Sequence, residues 1–298
     1  MHCLAPVVLF VYNRLDCLTS TINALKNNFA AADSNLFIFS DAPKSEQDNN
    51  KVNQVRSYIK TIQGFKKITI VEREQNFGLA KSIIEGVTET INQYGKVIVL
   101  EDDLITSPNF LSYMNSALNY YERNQKIFSI AGYTHPIKNP KQDVYFTQRA
   151  SSWGWATWKN RWENVRWDLK EEYILFMQDK IRQKQFNRMG SDLCKMLDRQ
   201  MNGKINSWAI RWCYNQFLTQ QYTVYPTLSK VINAGTDGSA THTQDRFNRL
   251  ATPIDQSGQV DFRFPEEILL DDFYLKQFLK NYSLLTRIKY RLLNACCP

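Results

Sequence analysis

The stretch VIVLEDD, residues 97–103, joins a short apolar run to three consecutive acids. Such a run is typical of a strand buried on both faces of a parallel sheet. Parallel α/β sheets bind ligands in the crevice beyond the carboxyl ends of their strands. Glu101, Asp102 and Asp103 therefore fall where such a sheet presents its binding site.

Three strand-like runs precede this stretch, and apolar residues at helical spacing separate them. The predicted strands are 7–12, 36–39, 67–71 and 96–100, and the predicted helices are 16–29, 47–62 and 79–91. Alternation of this kind indicates βαβ units. The sequence therefore predicts an α/β fold, with a mostly parallel, Rossmann-like sheet flanked by helices.

Beyond residue 150 the composition shifts, and all seven tryptophans fall between Trp153 and Trp212. Helical patterns cover 190–201 and 206–220, a short strand is predicted at 222–225, and 233–242 is a loop of small residues. A last helix is predicted over 271–294.

Composition excludes several classes of protein. With 43% hydrophobic and 22% charged residues the chain of 298 residues is globular, and its net charge of +8 suits an anionic partner. The phosphate-binding motifs GxGxxG and GxxxxGK[ST] are absent, which argues against dinucleotide oxidoreductases and P-loop kinases. Six cysteines without a CxxC pair favour reduced thiols in a cytosolic setting.

Acids beyond a strand end are suited to one kind of chemistry. A carboxylate there can hold a hard divalent cation, whose other ligands come from phosphates and water. The cation then neutralises the charge that develops on a diphosphate leaving group.

An ordered set of motifs resembles the GT-A glycosyltransferases, and within them N-acetylglucosaminyltransferase I and related bacterial enzymes. The similarity covers roughly residues 5–245. Its segments are APVVLFVYNR (5–14), FIFSD (37–41), EREQNFGLAKSI (72–83), VIVLEDD (97–103), SSWGWATWKNRW (151–162), INSWAIRW (205–212) and SKVINAGTDGSATH (229–242).

The resemblance implies a nucleotide-sugar donor, usually a UDP-sugar, together with Mn²⁺ or Mg²⁺. Asp103 matches the metal-binding residue of a DxD-like motif, and Glu101 and Asp102 match contacts to ribose and donor sugar. Arg14 matches a basic residue near the phosphates, and Asp41 an acid beside the uracil. Ser239 and His242 lie in the segment that matches a lid over the donor.

One departure concerns the catalytic base. In N-acetylglucosaminyltransferase I an aspartate follows the tryptophan of the later helix, whereas Ala209 follows Trp208 here. An inverting transfer needs a carboxylate to deprotonate the acceptor hydroxyl. Asp237 is the first candidate for that role, followed by Glu163 and Asp168, and inversion or retention stays open.

Tryptophan rings offer flat apolar faces on which sugars stack. We expect Trp153, Trp155 and Trp208 at an acceptor site, with a tryptophan-rich core as the competing interpretation. The acceptor would be a glycan or a lipid-linked glycan of surface polysaccharide assembly.

The resemblance implies a GT-A domain over 1–245, comprising a nucleotide-sugar-binding half (1–105) and an acceptor-side half (106–245). A C-terminal extension (246–298) carries the basic amphipathic helix. That helix would either lie on an anionic membrane surface or pack on the domain with a solvated basic face. We expect a cytoplasmic protein, peripheral on the inner face of a membrane.

The leading prediction is thus a hexosyl- or N-acetylhexosaminyltransferase. A nucleotidyltransferase would want a glycine-rich loop after the first strand, where the chain has Asn13-Arg14-Leu15-Asp16. A non-catalytic carbohydrate- or nucleotide-binding protein on a decayed scaffold remains open because of Ala209. Nucleic acid is not expected as a partner, because no recognised module is present.

Overall fold

A computed structural model describes residues 3–234 and 247–296 of the chain. Strands and helices alternate through the first hundred residues, as the sequence predicts. The elements there are β1 (Val7–Val11), α1 (Leu15–Lys26), β2 (Asn35–Ser40), α2 (Asn49–Ile59), β3 (Lys67–Glu72), α3 (Gly78–Tyr94) and β4 (Lys96–Glu101). Helix α3 ends at Gly95, whose left-handed φ of 76° is one that glycine adopts without strain.

The second half of the chain is richer in short elements. They are β5 (Leu104–Thr106), α4 (Phe110–Tyr120), β6 (Ile127–Ala131), β7 (Val144–Thr147), β8 (Trp155–Trp158), α5 (Lys159–Trp162), α6 (Lys170–Gln178), α7 (Lys180–Phe186), α8 (Leu193–Met201), α9 (Trp208–Thr219), β9 (Tyr222–Pro226) and β10 (Val231–Asn233). Helix α9 begins where the Ser207 hydroxyl accepts a hydrogen bond from the Ile210 N–H, at 3.3 Å.

One large sheet forms the centre of the molecule, with strand order β3-β2-β1-β4-β8-β6-β9-β7. Strands β1 to β4 are parallel, and so are β6 and β9, whereas β8 and β7 run antiparallel to their neighbours. The predicted α/β class with a mainly parallel sheet is confirmed. A separate two-stranded ribbon pairs β5 with β10.

Helices cover both faces of the sheet. Alternate residues of β1 point to opposite faces, as the period of a strand requires. Val7, Leu9 and Val11 pack with α1, α2 and α4, and Val8 and Phe10 pack with α3 and the tryptophan-rich helices that follow β8. The sheet is therefore buried on both sides, which explains why its strands are continuously apolar.

The C-terminal segment forms two helices, which corrects the prediction of one. Helices α10 (Asp272–Lys280) and α11 (Leu284–Cys296) are separated at Tyr282, whose ring is buried against the domain. Ser283 then caps α11 by accepting a hydrogen bond from the Thr286 N–H, at 3.2 Å. The basic residues of this segment consequently lie on two helices. None of the helices in the described ranges is long and apolar enough to span a bilayer.

Candidate active site

The carboxyl ends of β1, β2 and β4 converge on one cavity, which we call the first cavity. Its volume is ≈ 550 Å³. Because parallel strands present their carboxyl ends at one edge, residues that are distant in sequence meet here. Its walls comprise Phe10, Val11, Tyr12, Asn13, Arg14, Phe39, Asp41, Lys44, Asn76, Gly78, Leu79, Ser82, Glu101, Asp102 and Asp103.

The three acids and Arg14 form the polar end of this cavity. The Arg14 guanidinium forms an ion pair with Asp102, and its Nη1 lies 3.1 Å from Oδ2 of Asp103. The Asp102 carboxylate is buried and also accepts a long hydrogen bond of 3.4 Å from the Tyr12 N–H. Arg14, which the resemblance places near the phosphates, is therefore already held between two carboxylates at the carboxyl ends of β1 and β4.

Crowding of negative charge shows in the pKa values of these acids. Burial, together with the charges of Asp103 and Asp102, raises the pKa of Glu101 to about 8, against the opposing effect of Arg14. Burial also raises the pKa of Asp102 to about 6, against the opposing effect of Arg14. One guanidinium thus leaves the cluster short of positive charge.

This deficit bears on the expected metal. Among the described residues no group of three histidines, cysteines or acids is arranged to hold an ion. Asp103 lines the cavity with its carboxylate 14% exposed. The residues present fit a hard divalent cation held by one carboxylate and completed by oxygens of a bound diphosphate and water.

Asp41 has a structural function at the opposite wall. Its two carboxylate oxygens accept hydrogen bonds from the N–H groups of Phe77 and Gly78, at 2.9 and 2.8 Å. These donors stand at the beginning of α3, so Asp41 caps that helix from the end of β2. The expected contact with a base would be additional to this role.

Several polar side chains of the first cavity were missed from the sequence, among them Asn76 and Ser82. Asn76 lies in the turn before α3 and donates to the carbonyl of Ala42, at 2.6 Å. Ser82 is buried on α3, and its hydroxyl has no partner among the described residues. Both fall in the quoted segment EREQNFGLAKSI, so their place after β3 was the available signal. Beside them Phe10 and Phe39 stack with their ring centroids 5.5 Å apart.

A second cavity of ≈ 210 Å³ lies beside the tryptophan segment. The antiparallel register pairs Trp155 of β8 with Val99 of β4, so Trp153 and Glu101 lie toward the same edge of the sheet. The lining residues are Tyr133, Arg149, Ala150, Ser151, Ser152, Trp153, Asp192, Leu193, Met196, Ala209, Ile210, Trp212, Cys213, Arg249, Leu250 and Tyr282. Trp153 and Ala209, both singled out from the sequence, thus share this cavity.

The structure corrects the expectation for the other two tryptophans. Trp155 is 1% exposed and Trp208 is 3% exposed, and neither lines a cavity described above. Their rings pack against each other with centroids 5.1 Å apart. Five tryptophans (Trp155, Trp162, Trp167, Trp208 and Trp212) form one contiguous cluster. The rings of Trp155 and Trp208 are enclosed by this cluster and leave no face for a sugar, whereas Trp167 is only partly buried.

Asp237, Ser239 and His242 lie outside the described residues. The preceding strand β10 pairs with β5, and the N–H of Ala234 donates to the carbonyl of Asp103, at 2.8 Å. The chain therefore reaches the acidic triplet at residue 234.

A larger cavity of ≈ 820 Å³ borders β7 and residues 259–265. It lies away from the strand ends that carry the acids. We therefore place the candidate active site at the first and second cavities.

Comparison with known proteins identifies one family. The model of glycosyl transferase family 2 matches residues 7–205. No curated protein sequence matches the chain.

The chain is also similar to several solved structures at low sequence identity. TarS residues 1–349 from S. aureus has a TM-score of 0.44 and 9% identity, with 78% of this chain and 60% of that chain covered. The same protein in complex with UDP gives 0.43 and 11%, covering 76% and 59%. A mannosyltransferase from Pyrobaculum calidifontis, solved with GDP-Man and Mn²⁺, gives 0.36 and 12%, covering 52% and 44%. The chain thus spans less than two thirds of these neighbours.

Proposed function

Because the chain belongs to glycosyl transferase family 2, we propose that it transfers a sugar from a nucleotide-sugar donor, a UDP-sugar, to a glycan or lipid-linked glycan acceptor. The observation that carries the proposal is the first cavity. It joins an acidic cluster with one arginine to an apolar wall of Phe10 and Phe39. An apolar slot beside a charged end suits a base attached to a diphosphate.

Within this proposal the donor lies along the strand ends. Phe10, Phe39 and Leu79 contact the base, with Asp41 and Asn76 at its polar edge. Glu101 and Asp102 contact ribose and donor sugar. Arg14 is placed to donate to the diphosphate as well as to the carboxylates, since a guanidinium has five N–H donors.

Asp103 would hold Mn²⁺ or Mg²⁺. Such an ion supplies charge neutralisation on the departing diphosphate. The carboxylate of Asp103 is suited to this role because it is 14% exposed, whereas that of Asp102 is 5% exposed; both contact Arg14 and both line the cavity.

In the transfer an acceptor oxygen forms a bond to the anomeric carbon, the bond from that carbon to the diphosphate breaks, and the acceptor proton passes to a base. We propose an inverting reaction with Asp237 as the base. Ala209 lines the second cavity, at the position where the resemblance to N-acetylglucosaminyltransferase I places its aspartate. A base from another position in the chain is therefore needed. The resemblance to N-acetylglucosaminyltransferase I in particular remains a prediction.

We propose the second cavity for the acceptor. Trp153 is partly exposed there and meets Tyr133 edge-on with ring centroids 4.7 Å apart. Of the predicted tryptophan trio, Trp153 is the member that lines one of the cavities described above.

The test of the donor site is a panel of nucleotide-sugars read by thermal shift and donor hydrolysis, with Mn²⁺, Mg²⁺ or chelator. We expect one donor to raise Tm only with metal, by mass action on the folded state. Asp103→Asn should abolish the metal-dependent shift, and Asp168→Asn, which changes an exposed acid elsewhere, should not. If no nucleotide-sugar stabilises the wild type, the transferase proposal fails and a decayed binding scaffold becomes the better account.

Helix α11 supports the proposed membrane contact. In it Leu284, Leu285, Ile288 and Leu292 are 59%, 81%, 43% and 60% exposed, and none of its described residues is buried. Arg287, Lys289 and Arg291 stand on the same helix. An apolar stripe with flanking cations suits the surface of an anionic bilayer. Helix α10 differs, because it packs Tyr274 and Phe278 into the domain.

The membrane test uses the paired variant Leu285→Glu/Leu292→Glu and vesicles with and without anionic lipid. We expect wild type to sediment with the anionic vesicles and the variant to stay in solution. Leu175→Glu is the matched control, because Leu175 is 66% exposed on α6. Equal sedimentation of wild type and variant would overturn the membrane proposal. It would not bear on the proposed donor site.

We also propose the division of the chain into a GT-A domain, 1–245, with halves 1–105 and 106–245, and a C-terminal extension. The described part of the extension packs on the domain rather than apart from it. Ile268 joins the core under β1, and Tyr274 stacks on Tyr145 with centroids 5.2 Å apart.

A further inference from the structure

The second cavity carries more positive than negative charge. Arg149 and Arg249 line it, Arg287 lies close by, and Asp192 is the one carboxylate among its described lining residues. A half-enclosed site with three guanidinium groups and one carboxylate is attractive to an anion.

Asp192 is fully engaged by one of these arginines. The Arg149 guanidinium donates through Nη1 and Nη2 to the two carboxylate oxygens of Asp192, at 2.9 and 3.0 Å. Gly190 permits this approach, since a Cβ there would lie 2.1 Å from Nη1 of Arg149. The ring of Tyr282 covers the other side of the guanidinium, 3.8 Å away. This ion pair is therefore bidentate and largely buried, so Arg149 and Asp192 neutralise each other rather than a bound ligand.

Arg249 and Arg287 form no ion pair with a carboxylate of the described residues, and Asp192 acts on both only through its field. Arg249 is half-buried and donates through Nη1 to the carbonyl of Asn281, at 2.7 Å, and no described carboxylate forms an ion pair with it. Arg287 donates to the Ser191 hydroxyl at 3.1 Å. Burial lowers the pKa of His135 to about 3, and the field of Arg149 and Arg249 acts in the same direction. Positive charge is thus in excess around the cavity.

One residue of the cavity lining has a neutral donor that no described group uses. Trp212 is 1% exposed, and its Nε1–H has no partner among the described residues. A buried N–H without an acceptor costs free energy that a bound oxygen would recover. Trp153 borders the same cavity with an apolar ring.

We propose that the second cavity binds an anionic group, a phosphate or a carboxylate, carried by the acceptor sugar. Arg249 is its principal cationic contact, and the Trp153 ring lies against the sugar. The assignment to the acceptor rests on the proposed function, whereas the anion site rests on the charges around the cavity.

The test titrates the full chain with glucose 1-phosphate, glucuronic acid and glucose by calorimetry. We expect at least one anionic sugar to bind more tightly than glucose. Arg249→Gln should weaken that binding at least about tenfold, because a hydrogen bond to a charged group is lost. Arg249→Lys should retain part of it, and Arg123→Gln, which changes an exposed arginine elsewhere, should retain all of it. Circular dichroism checks that each variant is folded.

The arms separate the possible outcomes. Binding of glucose 1-phosphate alone identifies a phosphate, and binding of glucuronic acid alone identifies a carboxylate. No preference over glucose, or unchanged binding in folded Arg249→Gln, overturns the inference. Nucleotide-sugar binding, measured separately on the same variants, reports on the proposed function. If the wild type binds the anionic sugar but no nucleotide-sugar, the proposed transferase function is refuted. The proposed anion site is then still supported.

Discussion

At the scale of single residues, the acids meet in one cavity because the ends of neighbouring parallel strands lie at the same edge of the sheet. Asp41, Glu101 and Asp103 all line the first cavity. Their partners were not predictable, since pairing depends on side-chain directions. Arg14 turned out to bridge two carboxylates, and Asp41 to cap α3. Ser82 was missed because a serine on a helix carries no signal of its own.

His135 gives a residue-scale prediction about pH. Its Nδ1 lies 3.0 Å from the Tyr133 hydroxyl, and that hydroxyl donates to the Leu250 carbonyl. The imidazole is buried, and burial favours its neutral form. The folded pKa is about 3 against 6.5 in the unfolded chain. Between these values the unfolded chain binds the extra proton, so stability falls as pH falls.

We expect the free energy of unfolding of wild type to drop by about 2 kcal/mol more than that of His135→Phe between pH 7.5 and pH 5. Urea denaturation of both proteins at each pH measures this difference. The other titrating groups are shared, so they cancel. Parallel pH dependences of the two proteins would contradict a buried, neutral His135.

At the scale of elements, hydrophobic periodicity was enough for the first half of the chain, where each strand and helix is regular. Hydrophobic periodicity failed where tertiary contacts determine the bounds of an element. The C-terminal pattern continues through Tyr282, yet the helix breaks there because that ring packs against His135 and Phe278. Strands β5 and β10 are three residues each and pair across more than a hundred residues. Such short pieces carry too little pattern to predict.

Helix α3 gives an element-scale prediction at Gly86. A Cβ at this position would lie 2.8 Å from Cε1 of Phe10 and 3.2 Å from Cδ2 of Phe39. Gly86→Ala should therefore lower stability by about 1–2 kcal/mol, because overpacking outweighs the gain in helix propensity. It should also weaken nucleotide-sugar binding, because both rings line the first cavity.

Urea denaturation and thermal shift with donor measure these two effects. Glu85→Ala on the exposed side of α3 is the control and should change stability by less than about 0.5 kcal/mol. Combining Gly86→Ala with Phe10→Leu should restore part of the loss by making room for the methyl group. A fully stable single variant would show that α3 can shift away from the sheet.

At the scale of the whole molecule, one buried ion pair joins the C-terminal segment to the domain. Lys230 and Asp255 are 4% and 1% exposed and form an ion pair. Asn109 and the Ser257 N–H also donate to Asp255, at 2.9 and 2.8 Å. These contacts hold the pKa of Asp255 down, at about 2.

Asp255→Asn keeps the shape but leaves Lys230 buried without its counter-charge. We expect a loss of about 3–5 kcal/mol in the free energy of unfolding, and a partial recovery when Lys230→Met is added. A urea double-mutant cycle measures both. The contribution of Asp255 should be present above its unfolded pKa of 3.8 and disappear as pH falls through about 2. A loss under 1 kcal/mol would mean that the segment is held by apolar contacts alone.

The tryptophan cluster has a spectroscopic consequence. Trp155, Trp162 and Trp212 lie with ring centroids 5.2–5.7 Å apart in fixed mutual orientations. Transitions of rings this close couple, so the folded chain should give an intense near-ultraviolet dichroic signal. Its disappearance while the far-ultraviolet signal persists would mark a compact state with loosened packing. Trp153 and Trp212 both line the second cavity, so the emission of these two rings should respond to a molecule that enters it.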